Sequence, residues 1–189
     1  MSSDVPDRKA ALRAAVLAAR ARRSDADRDA AETALARHGV ATWRSATTVA
    51  AYLSFGTEPP TRRLVDDLAA EGVDVLVPVI TGAVLEWARH DGPASLATGP
   101  LGIPQPTGHP LGPEALTRAD VVVVPALSVD RAGHRLGRGR GYYDRALAAV
   151  TAPLVAVIYD DELVDEVPVE RHDQSVGAVL RPGGLTSLS

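Results

Sequence analysis

The stretch that most restricts how this chain can fold is ADVVVVPAL, residues 119–127. Side chains on a strand alternate between two faces, so a run that is apolar at every position needs cover on both. Four successive β-branched valines favour a strand over a helix. The run is far too short to cross a bilayer. It therefore predicts a parallel strand inside a sheet, with helices packed above and below. The rest of the chain supports this. TTVAAYLSF (47–55), VDVLVPVI (73–80), AVLEWARH (83–90), PLVAVIYD (153–160) and VGAVL (176–180) read as further strands, the third and last of them short. Helices are expected over 8–22 with Asp7 as N-cap, 25–38 ending at Gly39, 58–71 ending at Gly72, and 141–150. Residues 92–113, rich in Gly and Pro, read as an irregular surface segment.

Strands alternating with helices predict an α/β fold, a single domain over 1–189 with a mostly parallel, Rossmann-like sheet flanked by helices on both faces. Aromatic residues are only 4% of the chain, so Ala, Val and Leu must fill the core, with Trp43 and Trp87 expected inside it. No cysteine is present, which excludes disulfides and thiolate metal sites. A net charge of −4 disfavours a general nucleic-acid binder, so any anion site must be local. Asp4 and Asp7 argue against a transit peptide, and the N-terminus lacks the apolar core of a secretory signal.

Ligands of such sheets sit beyond the carboxyl ends of the strands. The 121–125 strand leads to Asp130 and then to RLGRGRGYYDRAL (135–147). Gly137, Gly139 and Gly141 allow positive φ and close backbone approach, so their N–H groups can form an anion-binding nest at a helix start. Arg135, Arg138 and Arg140 add charge-assisted donors. This is neither a P-loop nor a G-x-G-x-x-G fingerprint. A solvated arginine loop is the plain alternative, and a single copy in an acidic chain speaks against an RNA-binding tract. Asp144 complements the helix dipole or ligates Mg²⁺ facing phosphates, with Asp173 as a second carboxylate. The 47–53 strand leads to Leu53 and Glu58. That glutamate is either a helix-start charge or an acceptor for a ligand's N–H donors. Lys9 and Arg13, four residues apart, share a helix face, and Lys9 is the only lysine among 20 basic residues. His90 and His172 show no metal-ligand spacing, and no nucleophile stands beside a base.

Taken in order, KAALR (9–13), AYLSFGTEPPT (51–61), VLVPVI (75–80), GIPQP (102–106), VPALSVDRAGHRLGRGRGYYDRAL (124–147) and VPVERHD (167–173) resemble the 5-formyltetrahydrofolate cyclo-ligase family. The resemblance spans nearly the whole chain, and its long central signature is very specific. It implies an enzyme in which ATP phosphorylates the formyl oxygen of 5-formyltetrahydrofolate. N10 then closes the ring, giving 5,10-methenyltetrahydrofolate, ADP and phosphate. It also implies that Lys9 and Arg13 hold ATP phosphates and that Arg135, Leu136, Gly137, Arg138, Gly139, Arg140, Gly141, Tyr142 and Tyr143 line the nucleotide. Arg138 to Tyr142, with Leu53 and Glu58, would face the folate. Asp144 and Asp173 would carry Mg²⁺, and Lys9 and Arg138 would act in catalysis. A cytoplasmic monomer is expected, with no nucleic-acid or membrane partner. Val129, Gln105 and Gly177 depart from the family pattern, the last two where acidic residues are common. The rivals are a diverged paralogue that phosphorylates another small molecule, and a non-catalytic nucleotide- or RNA-binding module.

Overall fold

A computed structural model describes residues 4–82, 84–170 and 173–188. The helices are α1 (Asp4–Ala21), α2 (Asp25–Trp43), α3 (Arg62–Ala70) and α4 (Tyr142–Leu147). The strands are β1 (Thr48–Ala50), β2 (Asp74–Thr81), β3 (Val84–Arg89), β4 (Leu96–Thr98), β5 (Pro104–Pro106), β6 (Val121–Pro125), β7 (Ser128–Asp130), β8 (Arg135–Leu136), β9 (Leu154–Val157), β10 (Leu163–Val164), β11 (Ala178–Arg181) and β12 (Gly184–Ser187).

The main sheet runs β12-β11-β9-β6-β1-β2-β3. Its five inner strands are parallel, and β3 and β12 close the two edges antiparallel. The valine run divides as its pattern predicts. Val121 and Val123 enter one core with Leu35, Trp43, Leu64 and Leu68 of α2 and α3. Val122 and Val124 enter the other with Trp87, Leu147 of α4, and Ala115 and Leu116 of a short 3-10 segment. A third, smaller core joins Val16 of α1 to Leu127, Leu136 and Val167.

Several elements differ from the sequence expectation, each for a local reason. Asp7 lies within the first turn of α1 rather than ahead of it. Ser24 caps α2 instead: its hydroxyl accepts the Asp27 N–H at 3.1 Å and Asp27 returns the bond to the Ser24 N–H at 3.2 Å. Gly39 does not end α2, which continues to Trp43. A Cβ at Gly39 would stand 2.4 Å from Leu64 Cδ1, so this glycine lets α2 approach α3. The strand expected over 47–55 pairs only through Thr48–Ala50, and the helix expected over 58–71 starts at Arg62. Between them Ser54 and Thr61 exchange hydroxyl and N–H bonds at 3.0 Å, and Thr61 Oγ1 donates to the Tyr52 carbonyl at 2.6 Å. These bonds fold the chain into a loop and leave Glu58 four residues ahead of α3. The helix expected over 141–150 is the single short α4. The irregular segment contains the β4–β5 ribbon, and a small β10-β7-β8 sheet lies outside any sequence expectation.

In chain order the parallel strands lie 2-1-3-4-5 across the sheet. The order in which strands are added therefore reverses between the parallel neighbours β1 and β6, which opens a crevice beyond their carboxyl ends.

Candidate functional site

The crevice holds a cleft of about 400 Å³. The chain leaving β1 supplies Tyr52, Leu53, Phe55 and Glu58; the chain leaving β6 supplies Pro125, Ala126 and Leu127. Pro78, Ile80 and Leu85 of the β2–β3 hairpin and Tyr142 and Tyr143 of α4 complete a largely apolar wall. A smaller polar pocket of about 130 Å³ adjoins it, lined by Lys9, Arg13, Leu136, Glu170 and Asp173. Arg135, Gly137, Gly139, Gly141 and Asp144 line both, so the glycine-arginine loop is their common wall.

The loop has a rigid base. The buried Asp130 carboxylate accepts the Ala132, His134 and Val167 N–H groups at 3.0, 2.9 and 3.1 Å. Gly139 and Gly141 have φ of +88° and +65°, which L side chains rarely adopt. Arg135 donates to Asp144 Oδ1 at 2.5 Å and to the Gln174 carbonyl. Arg13 Nε donates to the Gly137 carbonyl at 2.9 Å.

Every expected site residue lies in one of the two pockets. Leu53, Glu58, Arg138, Arg140, Tyr142 and Tyr143 line the cleft; Lys9, Arg13, Leu136 and Asp173 line the polar pocket. Glu58 is buried, and its Oε2 accepts the Phe55 N–H at 3.2 Å. Arg138 Nε donates to Glu58 Oε1 at 3.1 Å, and its guanidinium lies 5.0 Å from the Phe55 ring centre. Burial pushes the Glu58 carboxyl above the usual range, against the pull of Arg138, the Phe55 N–H and Arg20. Lys9 Nζ bonds Asp173 at 2.6 Å and Glu170 at 2.7 Å. Burial lowers the Lys9 ammonium, but its bonds to Asp173 and Glu170 outweigh this and leave it above the usual lysine value.

Asp144 and Asp173, from separate segments, both face the polar pocket and offer only carboxylate oxygens. Among the described residues no cluster of three or more His, Cys, Asp or Glu could hold a metal by itself. The two carboxylates therefore suit a hard cation that takes its other ligands from phosphate and water. His90 is buried and its Nε2 lies 2.6 Å from Asp66 Oδ1, away from both pockets. His172 lies outside the described residues. Trp43 and Trp87 are core residues, as expected.

Arg20 is a cleft residue that the sequence reading passed over. It follows Leu12 and Val16 at four-residue intervals, so a charge on the apolar stripe of α1 was its available signal. Glu162, in a short 3-10 turn, and Glu170, within the VPVERHD segment, pair with Arg20 and Lys9, and nothing local in the sequence marks those pairings.

Fold and site together define a class: an α/β protein with a largely apolar cleft against a glycine-arginine loop at a topological switch point. Within that class the comparisons are specific. The description of the 5-formyltetrahydrofolate cyclo-ligase family matches residues 5–182, and the chain belongs to this family of enzymes. A 5-formyltetrahydrofolate cyclo-ligase of Mycolicibacterium smegmatis is 40% identical over 97% of this chain and 98% of its own. The Escherichia coli K12 cyclo-ligase is 34% identical over 71% of this chain and 78% of its own. The 5,10-methenyltetrahydrofolate synthetase structure of Aquifex aeolicus superposes with a TM-score of 0.83 at 27% identity, covering 95% of this chain and 92% of that one. The Mycoplasma pneumoniae synthetase, at 18% identity and a TM-score of 0.71 over 90% of this chain and 96% of that one, shares the fold.

Proposed function

We propose that this enzyme converts 5-formyltetrahydrofolate to 5,10-methenyltetrahydrofolate, with ATP going to ADP and phosphate. The observation that carries this reading is the shared wall. An apolar cleft sized for a ring system and a polar pocket that sets Lys9, Arg13 and Arg135 among three carboxylates meet along Arg135–Asp144, so a ring substituent bound in one would stand beside a phosphate bound in the other. The formyl oxygen attacks the γ-phosphorus, and the bond to ADP breaks. N10 then attacks the activated carbon, its proton leaves, and loss of phosphate gives the methenyl bridge. Such a transfer needs position and charge stabilisation more than a protein nucleophile, and among the described residues no serine, threonine or cysteine lines either pocket.

In this reading Glu58 accepts the pteridine N–H donors and Leu53 packs on the ring. Arg138 leaves Glu58 as the pteridine arrives and turns its donors to the transferring group. Lys9 and Arg13 hold phosphates, while Gly137, Gly139 and Gly141 let the backbone approach them. Asp144 and Asp173 would hold Mg²⁺, which neutralises phosphate charge when bound. Arg135 and Lys9 occupy those carboxylates here and would pass to the phosphates. The chain acts as one domain over 1–189, as a cytoplasmic monomer. No described helix is long and apolar enough to cross a membrane.

The test is direct: mix protein, 5-formyltetrahydrofolate, ATP and Mg²⁺, and follow the near-ultraviolet band of the conjugated product. Its appearance with stoichiometric ADP supports the reading. Slow ATP use without that band favours the paralogue, and RNA binding without either favours the binding module.

A further inference from the structure

Arg20 is 1% exposed, yet it lines the cleft. Its Nε donates to Glu162 Oε1 at 2.7 Å. Its Nη2 donates to Glu162 Oε2 at 2.8 Å and to the Ala126 carbonyl at 2.7 Å. A guanidinium carries five N–H bonds in a fixed fork, so these contacts leave the two on Nη1. Nη1 has no hydrogen-bond partner among the described residues, and it is not one of the sealed, unpartnered atoms of the interior. Its donors therefore open onto the cleft.

The charge of Arg20 is already balanced by the bidentate Glu162, so the cleft has no need of a second anion there. A neutral acceptor suits the two remaining donors. Glu58 lines the same cleft, and its carboxyl feels the Arg20 charge. One cleft thus presents both an acceptor and a donor, the complement of a ring edge that carries N–H donors and then a carbonyl. A 2-amino-4-oxopteridine has that edge: the 2-amino group, N3–H and the 4-oxo oxygen follow one another.

We propose that Arg20 is a specificity-determining residue, whose Nη1 donates to the 4-oxo oxygen while Glu58 accepts the neighbouring N–H groups. The inference rests on the folate reading of the cleft. A 4-amino ring would turn a donor toward the Arg20 donors and leave both unpaired, which is how a hydrogen-bonding site rejects a close analogue. Ala126, the other Arg20 partner, directly follows β6, so the same guanidinium also holds the cleft wall in place.

The experiment is calorimetric and needs no turnover. Folate and its 4-amino counterpart are titrated into the parent protein, into Arg20→Lys, and into the double variant Arg20→Met with Glu162→Gln, which removes both buried charges together. A non-hydrolysable ATP analogue is titrated alongside. The parent should prefer the 4-oxo ligand by roughly tenfold or more. Both variants should reduce that preference at least about threefold, the remainder reflecting the N3–H that the 4-amino ring lacks opposite Glu58, while keeping ATP-analogue affinity within about twofold. A preference retained in both variants overturns the proposal. Loss of analogue affinity in step with folate also overturns it, because a collapsed cleft and not a lost contact then explains the change. If the parent binds neither pteridine, the folate reading fails and this inference with it. If Glu58→Gln loses folate while the Arg20 variants discriminate fully, only this inference fails.

Discussion

At the scale of the residue, Glu58 and Lys9 show how a site can be legible in chemistry and hidden in geometry. The signature named the loop, but nothing local distinguished a ligand acceptor at Glu58 from a helix-start charge. The Ser54–Thr61 bonds settle where it lies, in a loop ahead of α3 and inside the cleft. Those bonds join residues seven apart and follow no turn rule, so they could not be read from the sequence. Glu58→Gln should weaken folate binding by about 1.5–3 kcal/mol, the loss of a charge-assisted bond, and leave ATP binding intact by calorimetry. The sign of its stability effect is the opposite. Because the folded carboxyl is raised by burial, Glu58 contributes stability present below the unfolded pKa and lost as pH rises through the folded one. At pH 7 the Gln variant should therefore melt no lower than the parent. The parent's folate affinity should fall on acidification at a higher pH than an ordinary carboxylate would give, and the variant should lack that step. Lys9 now has close neighbours, two carboxylates within 2.7 Å. A planar fork is wider than an ammonium. Lys9→Arg should bind ATP within about tenfold of the parent and lose far more in single-turnover methenyl formation. Equal turnover would return Lys9 to an incidental role.

At the scale of the element, the fold was legible wherever burial imposes a period. The valine run foretold a two-faced sheet because no other structure covers such a strand. Boundaries failed where packing overrode local signals. Gly39 resembles a helix stop, yet its missing side chain serves the contact with Leu64. Gly39→Ala should gain up to about 1 kcal/mol in helix propensity and lose about 1–3 kcal/mol to overpacking, for a net fall in stability by urea denaturation. Leu64→Val in the same chain should recover part of it. The β10-β7-β8 sheet was invisible because its strands have two or three residues, too few to show a period. The glycine-arginine loop is an element in its own right. Gly139→Val places a β-branched residue at φ +88°, with a Cβ 3.6 Å from the Arg13 guanidinium. It should abolish binding of the ATP analogue and leave the far-ultraviolet dichroism unchanged. Unaltered nucleotide affinity would sink the backbone nest.

At the scale of the whole molecule, α1 is fastened to the remainder by Val16 in the third core and by its cations. Arg8 meets Glu166, Lys9 meets Glu170 and Asp173, Arg13 meets the Gly137 carbonyl, and Arg20 meets Glu162. Two of these cations, Lys9 and Arg13, also line the polar pocket, so a phosphate ligand would tie α1 to the loop. An ATP analogue at a hundred times its Kd should stabilise the fold by about 2.7 kcal/mol, a melting shift of roughly 5–10 °C for a chain of this size. In Asp144→Asn the shift with Mg²⁺ should approach the shift without it, and an unchanged Mg²⁺ dependence would restrict Asp144 to its bond with Arg135. The chain's preference for arginine has one more consequence. Guanidinium groups do not react with acylating reagents that capture amines, so among all its side chains the molecule offers them a single target. That target is Lys9, with a side chain only 6% exposed and a proton held by two carboxylates. Acylation there should be slow, countable as one mass increment beyond the α-amine, and slower still under bound nucleotide. The protein thus carries a single amine side chain in the wall of the polar pocket, a stoichiometric labelling position without any engineering.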